Sequence, residues 1–93
     1  MINELFEKHD DQFLKFDMVQ NKTSNRADLH AFNLLDKIIP GNTDMISAAE
    51  HDEIWLDVDL DELIERATED QIIDLIRSGV RYDRSVGSLA MFV

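Results

Sequence analysis

Apolar residues recur along this chain with two different periods, and the switch between them outlines the fold. Ile2, Leu5, Phe6, Phe13 and Phe16, with His9 among them, fall at helical spacing, so residues 2–18 are predicted to form an amphipathic helix. The polar run Asn21-Lys22-Thr23-Ser24-Asn25 breaks that pattern. Ser24 or Asn25 can cap a second helix, with Asp28 in its first turn and Leu29, Phe32, Leu35 and Ile39 along one side. Pro40-Gly41 ends it. Residues 42–52 carry no clear period. Met45 to Glu50 allows one or two turns of helix, capped by Thr43.

From Ile54 the period changes to two. Ile54, Leu56 and Val58 alternate with Glu53, Trp55, Asp57 and Asp59, the pattern of a half-buried strand. Asp59 or Asp61 can cap a short helix through Leu60, Leu63, Ile64 and Ala67. Thr68-Glu69-Asp70-Gln71 matches a capping box, with Gln three residues after Thr. It starts a further helix through Ile72, Ile73, Leu75 and Ile76, which Gly79 closes. Val80 to Asp83 and Ser88 to Val93 read as strands around a turn at residues 84–87. No Pro-rich linker, repeat or low-complexity tract divides the chain, so residues 1–93 are expected to form a single α+β domain. Its parts are an N-terminal helix within residues 1–20 and a unit over 25–93 built on a helix pair and a three-stranded antiparallel sheet. The expected core is Leu29, Phe32, Leu35, Ile54, Leu56, Val58, Leu63, Ile64, Ile72, Ile76, Leu89 and Met91.

The order of elements over residues 53–93 resembles the winged-helix family. Leu60-x-x-Leu63-Ile64-x-x-Ala67-Thr68 stands for the first helix of the pair, and Ile72-Ile73-x-Leu75-Ile76-Arg77-Ser78-Gly79-Val80 for the second. A two-stranded wing ends in Leu89-Ala90-Met91-Phe92-Val93. The resemblance implies that residues 69–78 lie in a DNA major groove. The charges oppose that. Exposed positions of this helix begin Glu69, Asp70, Gln71 and Asp74, whereas affinity for duplex phosphates comes from Lys and Arg. Arg77, Arg81 and Arg84 alone are placed for phosphate, and the simpler expectation is local pairing with Asp74 and Asp83.

Charge changes the picture further. The net charge is −11, and twelve carboxylates against one base, Arg66, lie between Asp44 and Asp74. Such density opposes folding by self-repulsion. It also repels nucleic acid and anionic membranes at long range, which leaves basic proteins and cations as natural partners. At 44 % hydrophobic residues the chain can still bury a modest core. It has no Cys, which removes disulfides and thiolate chemistry and points to the cytoplasm. Met1 to Glu7 has no basic region followed by an apolar run, so a secretory leader is not expected, and no apolar run reaches the roughly 20 residues that span a bilayer.

The residues expected to meet a partner are Glu53, Asp57, Asp59, Asp61, Glu62, Glu65, Glu69, Asp70 and Asp74, with Trp55 as anchor. Asp61 and Glu65, and Asp70 and Asp74, stand four apart, a like-charge spacing that costs a helix about 0.2–0.5 kcal/mol per pair. Such rows can imitate a phosphate line and fill the basic groove of a nucleic-acid-handling protein. In size and charge the chain resembles the small acidic inhibitors of nucleases, restriction systems and CRISPR effectors, many of them phage-encoded. The plainer reading is an acidic surface that keeps a small protein soluble. For Trp55 the plainer reading is burial beneath Phe6, Phe13 and Phe16 of the first helix. A homodimer through that Phe-rich helix is compatible with the sequence.

Metal, cofactor and catalytic readings are weak. Asp57-Val58-Asp59-Leu60-Asp61 echoes the start of a calcium loop, but Glu62 stands where Gly is needed and Thr68 where a bidentate Glu is needed. His9 and His51 each adjoin two carboxylates, yet adjacent side chains diverge. No phosphate loop, nucleophile elbow or zinc motif occurs, so neither an enzyme nor a cofactor is expected.

Overall fold

The computed structural model describes all 93 residues. Helices α1 (Ile2–Lys8), α2 (Ala27–Ile38), α3 (Leu60–Arg66) and α4 (Glu69–Arg77) accompany strands β1 (Ile46–Glu50), β2 (Glu53–Leu56), β3 (Arg81–Asp83) and β4 (Ser88–Phe92). The sheet is antiparallel in the order β1-β2-β4-β3, so it has four strands and not the three expected.

The added strand is β1, in the stretch without a period. All five of its residues are exposed, and it is an outermost strand. A strand with neither face buried leaves no apolar alternation to read. A bulge at Ser47 shifts its register between the pairs Ile46–Leu56 and Ala48–Trp55.

The first helix stops at Lys8 and not near residue 18. Two 3₁₀ turns follow, Asp10–Gln12 and Phe16–Met18. Leu14 between them takes φ 65° and donates its N–H to the Ile76 carbonyl at 3.2 Å. Phe6 and Phe13 still face the core, but Phe16 turns to the buried His30, with ring centroids 5.8 Å apart. The Phe spacing therefore reports packing, delivered by turns instead of one helix. Leu14 lies over Gly79, where a Cβ would meet its Cδ2 at 3.2 Å and φ is 98°. Glycine is required there both to end α4 and to receive the loop.

Capping follows the sequence closely at α3 and α4. Asp59 accepts from the N–H groups of Asp61 and Glu62 at 3.0 and 3.1 Å. Thr68 accepts from the Gln71 N–H at 3.1 Å, and Gln71 accepts from the Thr68 N–H at 2.9 Å, a complete capping box. At α2 neither Ser24 nor Asn25 is the cap residue. Ser24 instead accepts from the Arg26 N–H at 3.0 Å, just before the helix.

One core joins the helices to the sheet face that carries Ile54, Leu56, Leu89 and Met91. Leu35, Leu63, Ile72, Leu75, Ile76 and Val80 are almost fully excluded from solvent, and α1 adds Ile2 and Phe6. Phe32, Val58 and Ile64 are half-buried. Leu29, expected in the core, is 45 % exposed, because α2 packs through Ala31, Leu35 and Ile38. No helix is long and apolar enough to cross a membrane.

Candidate partner-binding surface

The open face of the sheet is closed over by its own side chains. Across the register, Trp55, Ala90 and Arg81 stand side by side on β2, β4 and β3. Ala90 is fully buried although no helix covers this face. Its small side chain lets the neighbours close above it. The Trp55 indole donates to Asp83 Oδ2 at 3.0 Å. Glu53 and Arg81 form an ion pair, and the Arg81 guanidinium lies 4.4 Å from the centre of the Phe92 ring. Hydrogen bonds from Ser85 and Trp55 hold the Asp83 carboxyl below the usual range.

Trp55 is thus half-buried in a polar network and is not covered by the N-terminal helix, which packs on α3, α4 and β3. The physical reason is the pleat of β2: Ile54 and Leu56 point to the helices, so Trp55 between them points to the opposite face. The arginines also differ from expectation. Arg77 donates to Gln12 Oε1 at 3.0 Å and to the Met18 carbonyl at 3.3 Å. Arg81 pairs with Glu53, and Arg84 pairs with Glu7 at 2.6 Å. None takes Asp74 or Asp83 as its ion-pair partner, since the turns after α1 bring Gln12 and Met18 to Arg77 first.

The expected partner-binding residues separate into five places. Glu53 and Trp55 belong to the sheet network just described. Glu69 belongs to an internal tie: Lys8 Nζ lies 3.0 Å and His9 Nε2 2.7 Å from its carboxylate, joining α1 to α4. Those hydrogen bonds, that from Lys8 first, hold the Glu69 carboxyl below its usual range. Asp74 turns into a polar groove between α2 and α4, beside His30, Asn33, Lys37 and Arg77. Burial pushes its carboxyl up, against the opposing pull of Arg77. Asp70 is exposed at the start of α4.

The remaining acids form a continuous run. Asp57 and Asp59 lead into α3, and Asp61, Glu62 and Glu65 lie along it. Asp57, Asp61 and Glu65 are exposed, and Glu62 is half-buried. The chain's ion pairs lie elsewhere, at Glu4, Glu7, Glu50, Glu53 and Glu69. No Lys or Arg forms an ion pair with the α3 run; Arg66 in the last turn of α3 is the one base on that helix. Two acids absent from the expected set join it, since Asp36 and Asp44 line one cleft with Asp57 and Asp59. Asp44 lies inside the acidic stretch of the sequence, but Asp36 sits on α2 and only the fold brings it near. No three His, Asp or Glu side chains converge on a metal-sized site.

Fold and surface together define a small α+β domain of four helices and a four-stranded antiparallel sheet, with unpaired carboxylates along one border. Comparison with protein-family models, with curated proteins and with solved structures finds no match to the chain.

Proposed function

We propose that this chain is a non-enzymatic protein-binding module whose acidic surface engages a basic protein. One contrast carries the reading. Arg77 and Arg81 are held within the fold and Arg84 pairs with Glu7 at the surface, while Asp57, Asp61 and Glu65 are left unpaired in solvent. Charges held in this way speed association with an oppositely charged surface and lose their effect with salt. The finer form of the proposal is mimicry: the module occupies the basic groove of a nucleic-acid-handling protein, as phage-type inhibitors of host defence do. A chain without Cys fits the reducing cytoplasm where such partners work.

A winged-helix regulator is the alternative. It is supported by helices α3 and α4, joined through Ala67 and Thr68 and followed by the β3–β4 hairpin. It needs Arg77, Arg81 and Arg84 to leave their present partners for phosphate, and it needs DNA to approach Asp70. The engagement of Arg77 and Arg81 within the fold, and of Arg84 with Glu7, makes it the weaker reading.

Capture from the source cell's lysate, with and without excess duplex DNA, tests the proposal. The expected result is retention of a basic nucleic-acid-handling protein that duplex displaces. The variant Asp57→Asn, Asp61→Asn, Glu65→Gln should lose that protein, while changes at the arginines leave it bound. Direct binding of the bait to duplex, lost when Arg77, Arg81 and Arg84 are neutralised, would replace the module by the regulator.

A further inference from the structure

We infer that β1 is a docking edge, extended in the complex by a strand of the partner that alternates apolar residues with Lys or Arg. The inference rests on the proposed protein-binding role and names how the partner is held.

The two edges of this sheet are built differently. β3 has three residues, its Arg81 and Asp83 are engaged, and α1 packs on it. β1 has five residues and pairs with β2 on one side only. Natural sheets protect long edges with Lys, Pro, inward-pointing charge or a covering element. Ile46-Ser47-Ala48-Ala49-Glu50 has no Lys or Pro, and its protection is the single bulge at Ser47. The small side chains of Ser47, Ala48 and Ala49 leave the backbone open to another strand.

The two faces beside this edge differ in chemistry. Ile46 and Ala49 pair with Leu56 and Ile54, so they share the helix-side face. Beneath β1 the helix layer leaves a groove of about 590 Å³, lined chiefly by apolar residues that include Phe13, Leu14, Phe32, Ile46 and Met91. A second cleft continues from Phe32 and Ile46 to Met45, Asp36 and Asp44. Ile46 is 45 % exposed and Leu14 64 %, so this groove is unfilled by the chain itself. On the opposite face, Ala48 and Glu50 pair with Trp55 and Glu53. A strand laid along β1 would therefore set alternate side chains into the apolar groove and beside Glu50. That is the alternation used in β-strand addition, in which main-chain hydrogen bonds hold the strand and pockets select alternate side chains.

Charge decides the occupant. Residues 44–59 hold six carboxylates and no Lys or Arg. A second copy would bring the same six acids and a further −11 to the junction. A strand bearing Lys or Arg meets no such opposition and gains from Glu50, Asp44 and Asp36.

The test uses the full ¹⁵N-labelled chain and an acetylated, amidated short peptide that alternates lysine with valine. Amide spectra should show shifts centred on residues 46–50, with slowed hydrogen exchange at β1 amides. The same peptide N-methylated along its backbone keeps its charge and should bind at least tenfold more weakly. Ala48→Lys in the exposed centre of β1 should weaken binding to a similar degree, with the rest of the spectrum unchanged. Shifts centred on residues 57–65 with β1 unmoved would overturn strand docking and leave the acidic-surface proposal standing. Absence of any shift would overturn strand docking, and the lysate capture would then judge the module separately. Shifts in β1 that grow with protein concentration, without peptide, would make a second copy the occupant.

Discussion

Trp55 shows what one side chain decides in a sheet without a covering layer. It and Arg81 flank the buried Ala90 across the register, and its N–H goes to a carboxylate two strands away. Trp55→Phe keeps a ring but removes that donor. The Asp83 carboxyl should then titrate closer to its ordinary range, with the bonds from Ser85 still holding it partly down. The sign of the linked stability effect is fixed. Asp83 titrates lower in the folded chain than its reference value of 3.8, so its contribution is present above that pH and is lost as pH falls through the folded value. The variant's deficit should be largest near neutral pH and should shrink in acid. Any packing loss persists at all pH values, so only the change with pH is diagnostic. Carboxyl-detected NMR titration with urea unfolding at two pH values checks this, and an unchanged Asp83 titration would refute the role given to Trp55.

At the scale of elements, local chemistry set the ends of α3 and α4, and tertiary contacts set α1 and β1. The Thr68–Gln71 capping box is spelled out in four adjacent residues and forms as written. Thr68→Ala should cost about 1 kcal/mol, seen as a lower urea midpoint with an unchanged slope. A loss near zero would mean that burial of Ile72, Leu75 and Ile76 holds the helix start without its cap. Residues 9–18 read as helix because Phe13 and Phe16 continue the period, yet Leu14 bonds to Ile76 and the chain turns there. No window within residues 1–20 contains that contact, so periodicity had no means of marking the break. β1 was illegible for the opposite reason. Edge pairing on one side gives its backbone partners while burying none of its side chains.

Across the whole molecule, the acidic stretch is shared among four surroundings, and its residues differ in what they are free to do. Glu53 and Glu69 are spent on internal ties, Asp59 on a helix cap, and Asp74 on a groove between helices. The α3 run remains in solvent with its self-repulsion unrelieved. Salt should therefore stabilise the chain. Raising NaCl from about 0.1 M to about 1 M shortens the screening length from about 10 Å to about 3 Å. The thermal midpoint should rise over that range, and Asp61→Asn with Glu65→Gln should reduce the rise. A midpoint that falls with salt would show that the internal ion pairs outweigh the repulsion. Association with the partner should respond in the opposite sense and slow as salt increases.

The sequence by itself determined the α+β class, the caps of α3 and α4, the β3–β4 hairpin and most of the core. Each depends on residues close together in the chain or on a period that burial imposes. It also determined how much negative charge the protein carries, since that is a matter of counting. Only the tertiary structure decided where α1 ends, that a fourth strand exists, and which carboxylates remain free. Those outcomes depend on contacts between residues distant in the chain: Leu14 with Ile76, Glu53 with Arg81, Lys8 with Glu69. A pairing of that kind leaves no periodic trace in either partner's own segment.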